Sequence, residues 1–117
     1  MAIVAGMTPV HSYAADAPTR EAVDALTGPA LLQFGTDWCG HCRAAESIVL
    51  EALAAHPVVR HLKVEDGSGR PLGRSFQVKM WPTLIFLDNG KEVVRLVRPA
   101  DAAAVARALA AIDHAAR

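Results

Sequence analysis

The two cysteines of this 117-residue chain stand three apart in the stretch Asp37-Trp38-Cys39-Gly40-His41-Cys42. The spacing Cys-x-x-Cys places both sulfurs within one helical turn, close enough to join as a disulfide and part again as thiols. An apolar run over residues 30–34 leads into the motif and a stretch of helical periodicity leads out, so Cys39 falls at a strand-to-helix turn. Unpaired N–H groups and the macrodipole at a helix N-terminus favour an anion there. A thiolate so placed is stabilised, and such cysteines ionise with pKa values of roughly 3.5–7.5. The chemistry this points to is reversible thiol–disulfide exchange.

Other uses of the pair fit less well. A disulfide framework links distant segments, which two cysteines one turn apart cannot do. A structural zinc site takes about four ligands, and the sequence has no second Cys-x-x-Cys and no His-x-x-His. His41, His56 and His61 would have to be gathered by the fold, so no metal is expected. His56 and His61 read as solvated loop or strand-edge residues, and Gln33 as a hydrogen-bonded polar group in the core. Inert buried thiols remain the plain alternative, against which the Gly, the His and the turn position argue.

The elements that hold the motif follow from hydrophobic period and punctuation. Residues 1–9 show no periodicity and read as a flexible extension; a short strand is expected around residues 10–13. Asp16 or Thr19 can cap a helix to about residue 27, with Val23 and Leu26 inward and Gly28 as its stop. Residues 31–34 read as a buried strand. The helix from Cys39 to about residue 55 carries an apolar stripe of Ala45, Ile48, Val49, Ala52 and Leu53, and Pro57 forbids its continuation. A strand over residues 58–64 follows, with Val58, Val59, Leu62 and Val64 apolar, then a loop at 66–69 and a short helix near 71–76. Strands at 83–87 and 92–97 flank Asp88-Asn89-Gly90-Lys91, a tight-hairpin sequence. Asp101 caps a last helix to about residue 114, burying Val105, Ala108, Leu109 and Ile112. The order β-α-β-α-β-α-β-β-α implies an α/β domain over residues 10–117: a mixed sheet with helices on both faces.

Composition bounds the function. With 52% hydrophobic and 21% charged residues the chain has enough apolar surface to fold. Twelve basic residues balance twelve acidic ones, which gives no electrostatic footprint for nucleic acid or a membrane surface. No apolar stretch is long enough to span a bilayer. Residues 1–16 hold no Lys or Arg and one short apolar run, so no secretory signal is read and the cytoplasm is expected. Tyr13-Ala14-Ala15-Asp16, which has the look of a cleavage-site end, keeps the periplasm as the lesser alternative.

Taken together, these residues resemble the thioredoxin superfamily. Trp38-Cys39-Gly40-His41-Cys42 matches its W-C-G-x-C signature, and Phe76-Gln77-Val78-Lys79-Met80-Trp81-Pro82-Thr83 resembles the segment that carries its cis-proline. The resemblance implies a thioredoxin-like fold and a protein-disulfide oxidoreductase with no bound cofactor. In that reading Cys39 is the exposed attacking thiolate, Cys42 resolves the mixed disulfide one turn deeper, and Pro82 is cis and packs across from them. The Trp81 backbone would be free to pair with an extended substrate, and Trp38 and Trp81 would border an apolar docking surface. The implied partners are protein disulfides and a protein reductant such as a flavoprotein reductase, acting on a monomer.

The chain departs from that pattern at several positions. Gln33 stands where the family has a buried acid below the second cysteine, so Lys63 lacks the partner it has there. Glu46, four residues beyond Cys42, is a substitute only if it faces the site. His41 gives the Cys-Gly-His-Cys of eukaryotic disulfide isomerases, and a cationic imidazole beside the thiolate would raise the potential. Arg98-Pro99 replaces a glycine loop, so Arg98 would narrow the groove or select acidic partners. Ser47 replaces a proline that often kinks the active-site helix. An oxidase or isomerase in an oxidising compartment, or a non-catalytic binding module, are the alternatives these departures raise.

Overall fold

In the computed structural model, which describes residues 12–116, β1 (Pro29–Gly35) has no polar face: six of its seven residues are buried, Gln33 among them. A strand covered on both sides belongs in the middle of a sheet. β1 pairs in parallel with β2 (Arg60–Glu65) and antiparallel with β3 (Thr83–Asp88), and β4 (Lys91–Val97) lies antiparallel beyond β3. The sheet order is β2-β1-β3-β4. Residues 1–11 lie outside the described residues, including residues 10 and 11 of the expected first strand. Within the described chain that strand is one parallel bridge, Ala14 to Val64, with hydrogen bonds of 2.9 Å to Lys63 O and from Glu65 N–H.

Side chains alternate across a strand, and the two faces of β1 and β3 build two cores. On one face Leu31, Leu84 and Phe86 meet Val49 and Ala52 of α2 (Gly40–Leu53) and Val105, Ala108, Leu109 and Ile112 of the C-terminal helix. On the other, Leu32, Phe34, Ile85 and Leu87 meet Val23 of α1 (Arg20–Asp24), Leu72 of α3 (Pro71–Ser75) and Phe76. Each fully buried side chain contributes about 1.5–3 kcal/mol against exposure. The result is three layers, helix–sheet–helix, as the pattern implied.

Local chemistry sets the boundaries. Thr19 Oγ1 accepts from Ala22 N–H at 3.0 Å, so Thr19 and not Asp16 caps α1. Asp101 accepts from Ala104 N–H at 2.9 Å and starts α4 (Ala102–Ile112). Asn89 and Gly90 both take positive φ (52° and 79°), as a type I′ hairpin requires. Val58 corrects the expected strand: it is 57% exposed, because a turn closed by Val59 N–H on His56 O carries it outside the sheet. α4 stops at Ile112, short of residue 114, where Asp113 leaves helical geometry and turns its carboxylate to His56; a 3₁₀ turn, His114–Ala116, follows.

Candidate redox site

β1 ends at Gly35, three residues turn, and Cys39 becomes the N-cap of α2 with extended φ −76° and ψ 125°. Its Sγ accepts from the N–H of Cys42 at 3.3 Å, taking the capping place that Ser or Asp usually fills. Both cysteines are free thiols. Cys39, expected to be exposed, is 8% exposed against 3% for Cys42, because Tyr13 and Trp81 pack over the pair.

The two sulfurs are pushed in opposite directions. Burial alone would raise the pKa of Cys39. The Cys42 thiol, the N–H groups of Cys42 and His41 and the charge of Arg98 outweigh it, so Cys39 lies below the ordinary thiol value. Cys42 is pushed up to about 11, first by burial and then by donating to Cys39, against opposing hydrogen bonds from the Thr36 backbone and the Tyr13 hydroxyl. One turn of helix thus holds an easily ionised sulfur and a reluctant one.

Around the sulfurs, the Trp81–Pro82 bond is cis and Pro82 is buried. The Trp81 indole N–H donates to Asp66 Oδ2 at 2.8 Å, and its ring meets the ring of Trp38 edge-on at 5.8 Å. Trp38 itself is 70% exposed. Trp81 is therefore fixed from behind and presents an aromatic edge beside Cys39. Its backbone is not left open, as had been expected: Arg98 Nε donates to Trp81 O at 2.8 Å. Arg98 takes a positive φ of 51° and stays exposed at the rim of the site while holding that carbonyl. Gly40 and His41 are exposed, and a Cβ at Gly40 would meet nothing within 4 Å, so that side of Cys39 is open.

Behind Cys42 the residues singled out in sequence come together. Gln33 Nε2 donates to the Tyr13 hydroxyl at 2.8 Å, and Gln33 Oε1 lies 2.7 Å from His61 Nε2. His61 is therefore half-buried and bonded to the core rather than solvated. His56 likewise is buried, 2.7 Å from Asp113 Oδ2. Lys63 is not left without a partner: its ammonium sits 4.4 Å from the centre of the Tyr13 ring and is drawn by the charges of Glu46 and Asp37. Glu46 does face the site, lining with Cys42 a cavity of about 200 Å³ that also includes Thr36 and Arg43. Tyr13 was not legible as a site residue. The one signal available was an aromatic in the expected first strand, which that strand's pairing beside β2 would carry toward the motif.

A dithiol at the start of a helix, a buried cis-proline after an aromatic and a mixed sheet between two helical layers define a thiol–disulfide oxidoreductase of thioredoxin-like fold. The family model for thioredoxin matches residues 11–111; the chain belongs to the thioredoxin family. The thioredoxin of Chlamydia trachomatis is 47% identical over 73 residues, covering 61% of this chain and 70% of that one. Thioredoxin 2 of Pseudomonas aeruginosa PAO1, solved in its reduced form, superposes with a TM-score of 0.80 at 53% identity, covering 91% of this chain and 96% of that one. A protein disulfide-isomerase, erp38 of Neurospora crassa, is 35% identical over 68 residues, only 18% of its length. The chain is accordingly a protein-disulfide oxidoreductase, acting on protein disulfide substrates.

Proposed function

We propose that Cys39 and Cys42 carry out this activity in the reducing direction, Cys39 attacking and Cys42 resolving. The Cys39 thiolate displaces one sulfur of a substrate disulfide and forms a mixed disulfide. Cys42 then loses its proton to water in the cavity behind it and attacks Cys39 Sγ. The mixed disulfide breaks, the Cys39–Cys42 bond forms, and the substrate leaves as two thiols. A protein reductant, a flavoprotein reductase by class, returns two electrons and two protons to the pair.

The observation that carries this reading is the opposite pressure on two sulfurs one turn apart: Cys39 below the ordinary thiol value, Cys42 raised to about 11. In this reading the Trp38 and Trp81 edges border the docking surface, Arg98 supplies positive charge beside it, and Gly40, His41 and Pro82 shape access to Cys39. The protein acts as a monomer in the cytoplasm, without a bound cofactor. Among the described residues no helix is long and apolar enough to cross a membrane. The test is reduction of insulin disulfides by dithiothreitol. Robust turnover that Cys39→Ser abolishes, with Cys42→Ser trapping mixed disulfides, is the expected result. Weak reduction alongside rapid oxidation of a dithiol peptide would assign the opposite direction.

A further inference from the structure

Cys42 must become an anion to resolve the mixed disulfide, and Gln33 takes the place of the acid beneath it, while Asp37 and Glu46 line the cavity at its side. What touches the sulfur instead is a tyrosine. Tyr13 packs against Cys39 and Cys42, and its hydroxyl and Cys42 Sγ flank one point at Gly35, where a Cβ would come within 2.5 Å of the sulfur and 2.8 Å of the Tyr13 oxygen. We propose that Tyr13 is a catalytic residue of this chain, its hydroxyl donating to Cys42 Sγ as that sulfur becomes an anion. The proposal rests on Cys42 being the resolving cysteine.

Hydrogen-bond directions support it. A hydroxyl has one proton. The Tyr13 oxygen already accepts from Gln33 Nε2 at 2.8 Å, so its own proton is directed elsewhere, and Cys42 is the acceptor in reach. The amide of Gln33 is held in that orientation by its other end. Its Oε1 lies 2.7 Å from His61 Nε2, and an amide oxygen can only accept, so the proton is on Nε2. His61, Gln33 and Tyr13 thus form a row of donors all pointing toward the sulfur. Had the amide been turned over, Tyr13 would donate to Gln33 and offer the sulfur only a lone pair, which suits a thiol and not a thiolate.

Two further facts keep Tyr13 a donor. Burial, and then the neighbouring Cys42 charge, push its phenol well above the ordinary range, so it holds its proton wherever the enzyme works. The Lys63 ammonium over its ring draws electron density from the phenol and strengthens the O–H as a donor. An amide does not relay protons, so the row stabilises charge without carrying any away. The proton of Cys42 leaves by the cavity lined by Thr36, Asp37, Arg43 and Glu46. In the step itself the Cys42 S–H bond breaks to cavity water, the Cys42–Cys39 bond forms, and the Cys39–substrate bond breaks with its electron pair on the departing thiolate.

The experiment uses the reduced full chain and one equivalent of 5,5′-dithiobis(2-nitrobenzoate). Attack by Cys39 releases the first coloured thiolate, and resolution by Cys42 releases the second. In Tyr13→Phe the first phase stays within about twofold of the parent and the second slows by roughly tenfold or more, the loss of a hydrogen bond to a charged group. Gln33→Leu, which leaves the hydroxyl but frees its direction, slows the second phase by a smaller factor. A second phase at the parent rate in Tyr13→Phe overturns the proposal, and so does equal slowing of both phases, which marks a merely structural role. Cys42→Ser separates the underlying reading: its second phase must vanish, and if it persists Cys42 is not the resolving sulfur.

Discussion

The carbonyl oxygen of Trp81, one peptide bond before cis-Pro82, is held by Nε of Arg98 at 2.8 Å. That contact fixes the guanidinium where its charge favours the Cys39 thiolate. It also occupies a backbone acceptor that an extended substrate would use, so a docking peptide must compete with Arg98. The arginine adopts a φ of 51°, a region that costs a residue with a Cβ about 1–2 kcal/mol and glycine almost nothing. Arg98→Gly therefore has separable effects. Attack on a small neutral disulfide slows by roughly two- to fivefold, the range of an exposed charge pair. KM for reduced-chain release from insulin falls, because the Trp81 carbonyl becomes available. Steady-state kinetics on the two substrates check both.

Folding stability of the reduced protein is expected to pass through a maximum with pH. Cys39 is depressed in the folded state, so as pH rises through its folded pKa toward 9 the unfolded chain holds more protons and stability rises. Cys42 is raised from 9.0 to about 11, so between those values the folded chain holds the extra proton and stability falls as pH rises. The disulfide form has neither thiol to titrate. Urea midpoints of the reduced and oxidised protein from pH 6 to 10.5 test this: the difference between the two forms rises and then falls. A difference that is flat with pH would contradict the assigned shifts.

How much of this could be read from the sequence depended on whether the signal was local. The two cysteines, the Thr19 and Asp101 caps, the Asn89-Gly90 turn and the alternation of β1 are short-range patterns, and the fold follows them. His61, Gln33 and Tyr13 lie 28 and 20 residues from one another along the chain, and their hydrogen bonds exist only because β1 pairs with β2 and Ala14 bridges to Val64. His61 looks solvated until β2, the strand that holds it, is placed beside β1. Arg98 stays exposed, as a cation at a strand end reads, but the carbonyl of Trp81 that its Nε meets is 17 residues away and no local pattern announces it.

His41 gives a prediction on the reduction potential. Its imidazole is exposed at the first turn of α2, next to Cys39, so its cationic form favours the reduced pair. The potential should fall between about −270 mV and −180 mV, the values of thioredoxin and of protein disulfide isomerase. His41→Pro should move it toward the lower value. Equilibration with glutathione buffers measures both; a parent value at or below −270 mV, or no change in the variant, would refute the role.

Far from the cysteines, His56 and Asp113 tie the turn after α2 to the end of α4 through a contact of 2.7 Å, both side chains being almost wholly covered. Removing the imidazole takes a short hydrogen bond from a buried carboxylate, a loss of about 1.5–3 kcal/mol. His56→Ala should therefore lower the urea midpoint strongly while leaving the rate of Cys39 with a small disulfide unchanged at pH 7. Loss of that rate in folded protein would mean the C-terminal helix bears on the site.

The two glycines nearest the motif make a matched pair. Gly40 stands inside it, yet an added Cβ there meets nothing within 4 Å. Gly40→Ala should be tolerated, with helix propensity favouring alanine by up to about 1 kcal/mol. Gly35 ends β1 outside the motif, and an added Cβ would lie 2.5 Å from Cys42 Sγ and 2.8 Å from the Tyr13 hydroxyl. No L side chain fits between those atoms, so the sulfur and the phenol must separate or the strand must move. Gly35→Ala should cost roughly 1–3 kcal/mol in stability. It should also slow release of the second thiolate from 5,5′-dithiobis(2-nitrobenzoate) more than the first, since Cys42 and not Cys39 is displaced. If Gly35→Ala resolves mixed disulfides as fast as Gly40→Ala does, close packing of Tyr13 on Cys42 has no part in the reaction.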